Sequence, residues 1–367
     1  MENEHDIPQR SAEAGGTVTE NSPVALSLLD LLPMRTGQTT AQAIAASMKL
    51  VQRADELGLR RYWFAEHHNM PAIASSSPPV LIAAASGVTE RIKLGSGGVM
   101  LPNHSPLIVA EQFAALAALA PGRIDLGLGR APGSDPVITQ LLRQSGTTSD
   151  VDRFPSNITD IVALTSPDGA TVRFTSGGEY TVKATPAATS APEVWLLGSS
   201  DYAARLAARL GLPYVFANHF AGENLDQAMS LYRTHYEPSE AYPEPQSFLT
   251  ANVVVAPTHD EAMERAQPHL RMMARMRTNL PLRAKETVDE VRANPSNELE
   301  QKFIAQHARN WFIGEPDDVA HRLREFAAKY EVDEIMLSAV AAQFESEPFD
   351  EPTGRLQTIE LLTAAMH

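Results

Sequence analysis

The sequence predicts an α/β protein in which eight parallel strands, each followed by a helix, close into a (β/α)8 TIM barrel with insertions. Apolar runs separated by helical patterns carry this prediction, and they begin near residues 24, 61, 92, 124, 193, 213, 249 and 334. Most connections between them are short, which is typical of parallel strands joined by crossover helices. Eight strand–helix pairs favour a closed barrel over an open, doubly wound sheet.

The first half of the chain supplies four of these strands in regular succession. The helices predicted between them span 41–57, 78–89 and 106–120. Thr39 and Thr40 can cap the first of these helices. The stretch 92–130 is a strand–helix–strand unit whose strands contain several glycines. Glycines inside strands cost stability, so their clustering indicates that something approaches the backbone closely.

The second half is less regular, because prolines and glycines interrupt the stretch 131–191. Short helices are predicted there at 137–144 and 157–164, with a hairpin around 173–182. The alternation then resumes, with helices predicted over 202–210, 225–236, 259–277, 317–330 and 355–366. The segment 281–310 breaks the pattern. A long interruption in a compact repeat is typically functional or peripheral.

The composition bounds the class of protein. The 367 residues fit one long barrel domain over 24–367, preceded by a flexible polar tail over 1–23. A formal net charge of −15 disfavours nucleic acid and anionic membranes as partners. The absence of cysteine excludes disulfides, thiolate metal sites and thiol nucleophiles. With no apolar run of membrane-spanning length and no signal-like N-terminus, we expect a cytoplasmic protein.

In such a barrel the active site forms where the strands end at their carboxyl side. That rule selects Asp30 and the segments 66–69, 97–103, 127–130, 198–201 and 218–220. Several of these positions are polar. The sequence therefore predicts a site assembled from strand ends.

The adjacent histidines His67 and His68 follow the second strand. Neighbouring residues on a strand point to opposite faces, whereas two metal ligands in a barrel usually need a His-x-His spacing. We therefore expect one ring to face the cavity and the other to pack or hydrogen-bond nearby, and no metal site. A purely structural role for either histidine is the alternative.

The run 127–133, Gly-Leu-Gly-Arg-Ala-Pro-Gly, superficially suggests a dinucleotide-binding loop. Its proline and final glycine prevent an immediate helix, and no second Rossmann half follows, so that signal is weak. A tight turn is the alternative interpretation. Arg130, at the end of the fourth strand, would suit a phosphate.

A second candidate anion site lies where Gly198, Ser199 and Ser200 lead a strand into a helix. Backbone N–H groups at a helix start, together with two hydroxyls, can bind an anion. Ordinary N-capping is the alternative. Taken together with Arg130, the motif favours a phosphate.

Three motifs resemble the bacterial luciferase-like flavin monooxygenase family, in particular its alkanal-monooxygenase-like branch with the MsnO8-type oxidoreductases. They are Tyr-Trp-Phe-Ala-Glu-His-His-Asn-Met at 62–70, Gly-Ser-Gly-Gly-Val-Met-Leu-Pro-Asn-His-Ser-Pro at 95–106, and Pro-Gly-Arg-Ile-Asp-Leu-Gly-Leu-Gly-Arg-Ala-Pro-Gly at 121–133. The resemblance extends from about residue 24 to the C-terminus. Luciferases carry a reactive cysteine where Gly129 stands here, so the resemblance does not imply light emission.

The resemblance implies that reduced FMN binds at the C-terminal face of the barrel. A cis peptide matching Gly97–Gly98 would lie against the flavin ring. His67 and His68 would be the active-site pair, with His67 as the acid or base. The phosphate would be held by three groups: Arg130, the Gly198–Ser199–Ser200 turn, and Arg153 as a second arginine. The segment 281–310 matches the family's mobile lid in position.

The function implied is a two-component monooxygenase that uses O2 and reduced FMN, supplied by a separate flavin reductase, on a small organic substrate. An aldehyde is the family default. Two alternatives stay open: hydride transfer with the deazaflavin F420 on the same fold, and a non-catalytic flavin-binding protein. A metal-dependent barrel hydrolase is a more remote alternative. Relatives often pair through helices after strands two and three, so the helix 106–120 could join two copies in a homodimer.

Overall fold

In the computed structural model, eight parallel strands close into a barrel, which confirms the predicted fold class. The structure describes residues 23–134, 136–144, 150–166, 168–187, 190–220, 224–277 and 283–367. Its strands are β1 (Ala25–Asp30), β2 (Arg61–Phe64), β3 (Lys93–Met100), β4 (Ile124–Gly129), β5 (Ala170–Arg173), β6 (Glu179–Val182), β7 (Glu193–Gly198), β8 (Tyr214–Phe216), β9 (Ser247–Val255), β10 (Phe312–Gly314) and β11 (Glu334–Ala339). The barrel order is β1, β2, β3, β4, β7, β8, β9 and β11, and β11 pairs with β1 to close the ring. The short strands β5 and β6 form the predicted hairpin outside the barrel.

The helices cover the outside of the barrel. They are α1 (Thr40–Glu56), α2 (Pro78–Ser86), α3 (Pro106–Leu119), α4 (Pro136–Gln144), α5 (Phe154–Thr165), α6 (Asp201–Leu210), α7 (Leu225–Thr234), α8 (His259–Arg277), α9 (Val288–Ala293), α10 (Glu298–Ala308), α11 (Pro316–Lys329) and α12 (Thr353–Met366). α1 begins at one of the two predicted caps. Thr39 Oγ1 accepts from the backbone N–H of Gln42 at 3.3 Å, and the Gln42 side chain accepts from the Thr39 N–H at 3.0 Å. This reciprocal pair satisfies N–H groups that a helix start otherwise leaves without partners.

The segment 281–310 contains more regular structure than its broken pattern suggests. Both α9 and α10 lie within it, and each starts with a capping box, formed by Thr287 with Glu290 and by Asn297 with Glu300. The helices are too short for their apolar period to stand out in the sequence. The strand β10, which the sequence did not predict, extends the sheet by pairing with the second half of β9. A lid function for this segment stays a prediction.

Three further expectations concern the surface and the chain ends. Apart from Pro23, the predicted tail lies outside the described residues. No helix in the described ranges is long and apolar enough to cross a membrane. The helix α3 exposes Leu107, Ile108 and Leu119, but pairing of two copies through it stays a prediction.

The interior of the barrel is filled in two layers. An apolar layer contains Trp63, Trp195 and Phe248, whose ring centroids lie 4.9–6.0 Å apart. Toward the strand starts, Arg61 donates to Asp125 at 2.8 Å and to Glu334 at 2.7 Å, with all three side chains buried. These layers fill the interior of the barrel below the mouth where the strands end, which is the predicted place of the site.

A cavity of about 600 Å³ lies on the strand-start side of these layers, away from the predicted site. Charged residues around it are paired with one another: Lys93 with Glu193, and Arg60 with Asp333. Polar residues at this face of a barrel usually contribute to stability, whereas catalysis occurs at the other face. The candidate active site is therefore at the C-terminal mouth.

Candidate active site

The segment after β2 forms the centre of the C-terminal mouth. The backbone N–H of His67 donates to Ser75 O at 2.9 Å, and that of His68 donates to Gly133 O at 2.9 Å. The second bond ties the segment after β2 to the segment after β4. Both histidines therefore sit on a backbone that is fixed on two sides.

Glu66 is the most connected side chain of this segment. It is 1% exposed, and Oε1 accepts from Nε2 of His68 at 2.8 Å and from Nε2 of His104 at 2.7 Å. The second oxygen, Oε2, accepts from the Met100 N–H at 3.1 Å. Burial alone would raise the pKa of Glu66, but the hydrogen bonds from His104 and His68 outweigh it and lower the pKa to about 2. The carboxylate is therefore ionised at neutral pH and holds β3 and the two histidines together.

His67 differs from His68 in its hydrogen bonding. Its Nδ1 atom is buried and has no hydrogen-bond partner among the described residues, whereas His68 is bound to Glu66. Burial lowers the pKa of His67, and the Gly133 carbonyl and Glu66 oppose this only in part. His67 is therefore neutral at physiological pH, and its buried Nδ1 is not bound to another protein group of the described residues.

His219 follows β8, and His67 acts electrostatically on it. Burial first, and then the neighbouring His67, lower the pKa of His219 to about 4. The Thr250 hydroxyl donates to Phe216 O at 3.2 Å, so its oxygen accepts from His219 Nδ1 at 2.7 Å. This arrangement places the ring proton on Nδ1 and leaves Nε2 as an acceptor.

Gly97 and Gly98 lie in β3, and the peptide bond between them is cis. A Cβ on Gly97 would meet Leu29 Cδ1 at 2.6 Å, and one on Gly98 would meet the Gly127 carbonyl oxygen at 2.8 Å. The backbone of the neighbouring strand β4 thus explains why position 98 is glycine, whereas the atom nearest Gly97 is the end of the flexible Leu29 side chain. Gly97 keeps some exposed surface, and contact of this peptide with a flavin ring stays a prediction.

The two predicted anion-binding features come together at the ends of β4 and β7. These strands are neighbours, with Gly129 opposite Leu197. The guanidinium of Arg130 lies over the ring of Tyr202, 4.3 Å from its centroid, and Tyr202 is in the first turn of α6. The exposed charge of Arg130 is therefore held beside the N-terminal end of that helix.

The turn that starts α6 is shaped for close approach. A Cβ on Gly198 would lie 2.4 Å from the Ala203 side chain, so only glycine fits there. Ser200 is the N-cap residue, yet its side chain makes no capping hydrogen bond, which leaves the hydroxyl for a ligand. Ser199 precedes it and is partly exposed. One carboxylate, that of Asp201, is also in this first turn, where it accepts from Gln227 at 2.6 Å.

Two other candidates are not bound to this arrangement. Arg153 is exposed in a short 3-10 turn before α5, and no hydrogen bond or ion pair in the described part of the chain joins it to Arg130 or to α6. Asp30, at the end of β1, is fully buried, where it accepts from Arg355 at 2.7 Å and from Ser47 and Tyr62 at 2.5 Å. Asp30 is therefore a structural residue. The described residues contain no group of three or more potential metal ligands, so no metal centre is indicated there.

Comparison with known proteins decides the family. The family model for luciferase-like monooxygenases matches residues 26–333. The chain belongs to this family. A luciferase-like monooxygenase of Escherichia coli (strain K12) is 40% identical over 321 residues, covering 86% of this chain and 91% of that protein. The N-acetyl-S-alkylcysteine monooxygenase of Bacillus subtilis (strain 168) is 32% identical over 320 residues, covering 86% of this chain and 92% of that protein.

Solved structures extend this similarity. The crystal structure of apo-MsnO8 has a TM-score of 0.80 and 32% identity, covering 94% of this chain and 97% of that one. Two more distant structures show the fold alone. One is the oxygenating constituent of 3,6-diketocamphane monooxygenase from Pseudomonas putida in complex with FMN. It has 18% identity and a TM-score of 0.68, covering 94% of this chain and 98% of that one. The other is an F420-dependent secondary alcohol dehydrogenase with 14% identity and a TM-score of 0.63, covering 94% of this chain and 99% of that one.

Sequence reasoning selected the histidine pair and Arg130 but assigned no role to Glu66, His104 or His219. Glu66 and His219 follow strand ends and were within the segments selected by that rule. Their pairing with His104 and with Thr250 joins positions 38 and 31 residues apart, so it becomes visible only in the fold. At the mouth of this luciferase-like chain, neutral imidazoles follow β2 and β8, and an exposed arginine lies beside the helix start after β7.

Proposed function

We propose that this luciferase-like protein is a flavin-dependent monooxygenase that uses reduced FMN and O2 on a small organic substrate. The observation that carries the proposal is the position of Arg130 on Tyr202 beside the start of α6. Two features selected separately as phosphate-binding meet there. A separate flavin reductase would supply the reduced FMN, because the sequence has no convincing nicotinamide-binding module.

The residues at the start of α6 fit a phosphate group. Arg130 has no carboxylate within ion-pair distance among the described residues, and its planar guanidinium suits phosphate oxygens. The Ser200 hydroxyl is not used for capping, and backbone N–H groups at a helix start favour an anion. In the proposal Arg130, Gly198, Ser199 and Ser200 therefore hold the FMN phosphate. Arg153 stays a candidate second ligand.

Bound reduced flavin would supply the electrons that activate O2. The chain's own contribution beside the ring is a proton carrier. His67 is neutral, and its Nδ1 has no protein partner among the described residues, so it can accept a proton from, or return one to, a reacting group. Glu66 precedes His67 in the chain and is hydrogen-bonded to His68 and His104. These two histidines therefore help to position the backbone that carries His67.

The substrate is proposed only as a class. An aldehyde is the default from the family resemblance, and one relative is named for oxygenation of N-acetyl-S-alkylcysteines. A test panel therefore includes medium-chain aldehydes and thioethers. F420-dependent hydride transfer is the competing reaction, because a protein of the same fold is named for it.

Anaerobic titration with reduced FMN, reduced riboflavin and reduced F420 tests the cofactor. We expect FMN to bind most tightly, and Arg130→Met to weaken FMN at least about tenfold, since a hydrogen bond to a charged group contributes about 1.5–3 kcal/mol. Riboflavin lacks the phosphate, so its affinity should not change in this variant. Arg173→Met, on the exposed hairpin, is the matched control.

The outcomes separate the hypotheses. Tight binding of F420 instead of FMN would replace the monooxygenase by a hydride-transfer enzyme. Equal losses for FMN and riboflavin would show that Arg130 does not contact the phosphate. If none of the three binds, the proposal is wrong.

Turnover distinguishes an enzyme from a flavin carrier. With a flavin reductase, NADH and the substrate panel, we expect substrate-dependent product formation, measured by mass spectrometry with 18O2. His67→Ala should lower the product yield while FMN affinity stays the same. Label-free products would contradict a monooxygenase, and a yield that does not respond to His67→Ala would contradict the proposed role of His67.

A further inference from the structure

A small cavity lies at the edge of the barrel between the start of α1, the segment 283–287 and the loop after β11. Its volume is about 30 Å³, which is enough for one water molecule or one monatomic ion. Arg35, Lys285 and Arg355 line it together. In the ring of strands, β11 and β1 lie opposite β4 and β7, so this cavity is separate from the proposed phosphate site.

Arg35 contributes a buried charge with an unused donor. The residue is 6% exposed, and its terminal nitrogens donate to the carbonyl oxygens of Phe344 at 2.9 Å and Glu347 at 2.5 Å. Its Nε is buried and has no hydrogen-bond partner in the described part of the chain. No carboxylate of the described residues lies within 4.0 Å of it.

Lys285 contributes a second buried amine next to it. The residue is 5% exposed, and its Nζ donates to Val340 O at 2.7 Å, which leaves two of its three protons without a partner in the described ranges. Its backbone bonds with Met34 and Thr36 place it beside Arg35 in a parallel bridge. Burial, and then Arg355, lower the pKa of Lys285 to about 7.

The acidic groups nearby are bound to other cations. Asp30 pairs with Arg355 at 2.7 Å. Glu286 lines the cavity but lies 3.5 Å from Arg271. The Glu347 carboxylate attracts the Arg35 charge but lies beyond ion-pair distance from it, and it forms an ion pair with Arg265 at 2.9 Å. Among the described residues, Arg35 and Lys285 are therefore left without a direct counter-charge, although a buried charge is costly unless it is paired.

We propose that this cavity binds a monatomic anion, chloride under physiological conditions, between Arg35 and Lys285. The two cations come from the loop after β1 and from the segment 283–287, so a bound anion joins these two parts of the chain. Its size excludes FMN phosphate and organic substrates. The proposal does not depend on the flavin chemistry and can be tested without cofactor.

Thermal unfolding of the full chain at constant ionic strength tests the proposal, with sodium chloride replacing sodium gluconate stepwise. Gluconate is too large for the cavity. A ligand that binds only the folded state raises Tm with its concentration, and we expect a saturable rise of about 2 °C or more in chloride. Lys285→Met should abolish this rise, whereas Lys49→Met, an exposed lysine on α1, should retain it.

Crystals grown in sodium bromide provide a second measurement that does not rely on a variant folding. Bromide scatters anomalously, so a peak between Arg35 and Lys285 would support the site directly. Identical Tm values in chloride and gluconate, together with no bromide peak at this cavity, would overturn the proposal. A chloride response that survives in Lys285→Met would overturn the assignment to these residues.

Discussion

Glu66→Gln tests the arrangement that supports the active-site histidines. Glutamine keeps the shape of the side chain but replaces the carboxylate with a neutral amide. Oε1 of Glu66 accepts from both His68 and His104, and an amide oxygen would leave these bonds without their charge. The substitution therefore mimics permanent protonation of Glu66 without creating a cavity.

The magnitude follows from the pKa. The pKa of Glu66 falls from 4.5 to about 2 on folding. At about 1.4 kcal/mol per pKa unit, folding therefore favours the ionised carboxylate over the protonated one by roughly 3 kcal/mol. Because the pKa of the folded state is depressed, this stabilisation is complete above about pH 4.5 and is lost as the pH falls toward 2. At pH 7 we expect Glu66→Gln to lower the free energy of unfolding by about 3 kcal/mol. Toward pH 2 the difference between the two proteins should disappear.

Urea unfolding followed by tryptophan fluorescence measures this difference, because Trp63, Trp195 and Trp311 are buried. Each protein is unfolded at several pH values between 2.5 and 7. Glu56→Gln is the control, since this exposed carboxylate pairs with Arg53 at the surface and should cost less than about 1 kcal/mol. If Glu66→Gln matches wild type at pH 7, or if the difference is the same at pH 3, the electrostatic account of this cluster is refuted.

Two further predictions concern the glycines of β4 and the histidine after β8. A Cβ on Gly127 would lie 2.1 Å from the Ser96 carbonyl oxygen, whereas one on Gly129 would meet the flexible Met100 side chain at 3.2 Å. Gly127→Ala should therefore destabilise the protein by about 1–3 kcal/mol, and its Tm should fall clearly more than that of Gly129→Ala. With its pKa lowered from 6.5 to about 4, neutral His219 stabilises the fold fully above about pH 6.5, and this contribution is lost as the pH falls through 4. An NMR titration of its imidazole should give a midpoint near 4, and a midpoint near 6.5 would contradict the burial argument.

The barrel could be predicted from the sequence because each of its strands is a separate apolar run followed by a helix. The strand β10 could not, since it has three residues and pairs with β9 beyond the barrel ring. The helices α9 and α10 were overlooked for a related reason. Their apolar period is weak, although their Thr-x-x-Glu and Asn-x-x-Glu capping boxes are present in the sequence.

Within the site, the sequence predicts which residues follow a strand end, but it does not predict which side chains bind one another. His67, His68 and Arg130 follow strand ends, and that rule selected them. The same rule selected Asp30, whose partner Arg355 lies 325 positions away and makes it structural. A local pattern cannot show which strand-end side chains are neutralised by distant partners, and this decides whether a carboxylate holds the fold or acts in the mouth.

The electrostatics of the mouth suit the two kinds of ligand that the proposed reaction needs. Burial holds His67, after β2, and His219, after β8, neutral, and the buried Glu66 carboxylate accepts hydrogen bonds from His68 and His104. This part of the mouth therefore offers uncharged imidazoles to a substrate. At the ends of β4 and β7, Arg130 keeps an exposed charge beside a helix start. Because an anion gains most at the arginine and an uncharged molecule loses least at the imidazoles, phosphate and substrate would bind at different parts of one mouth.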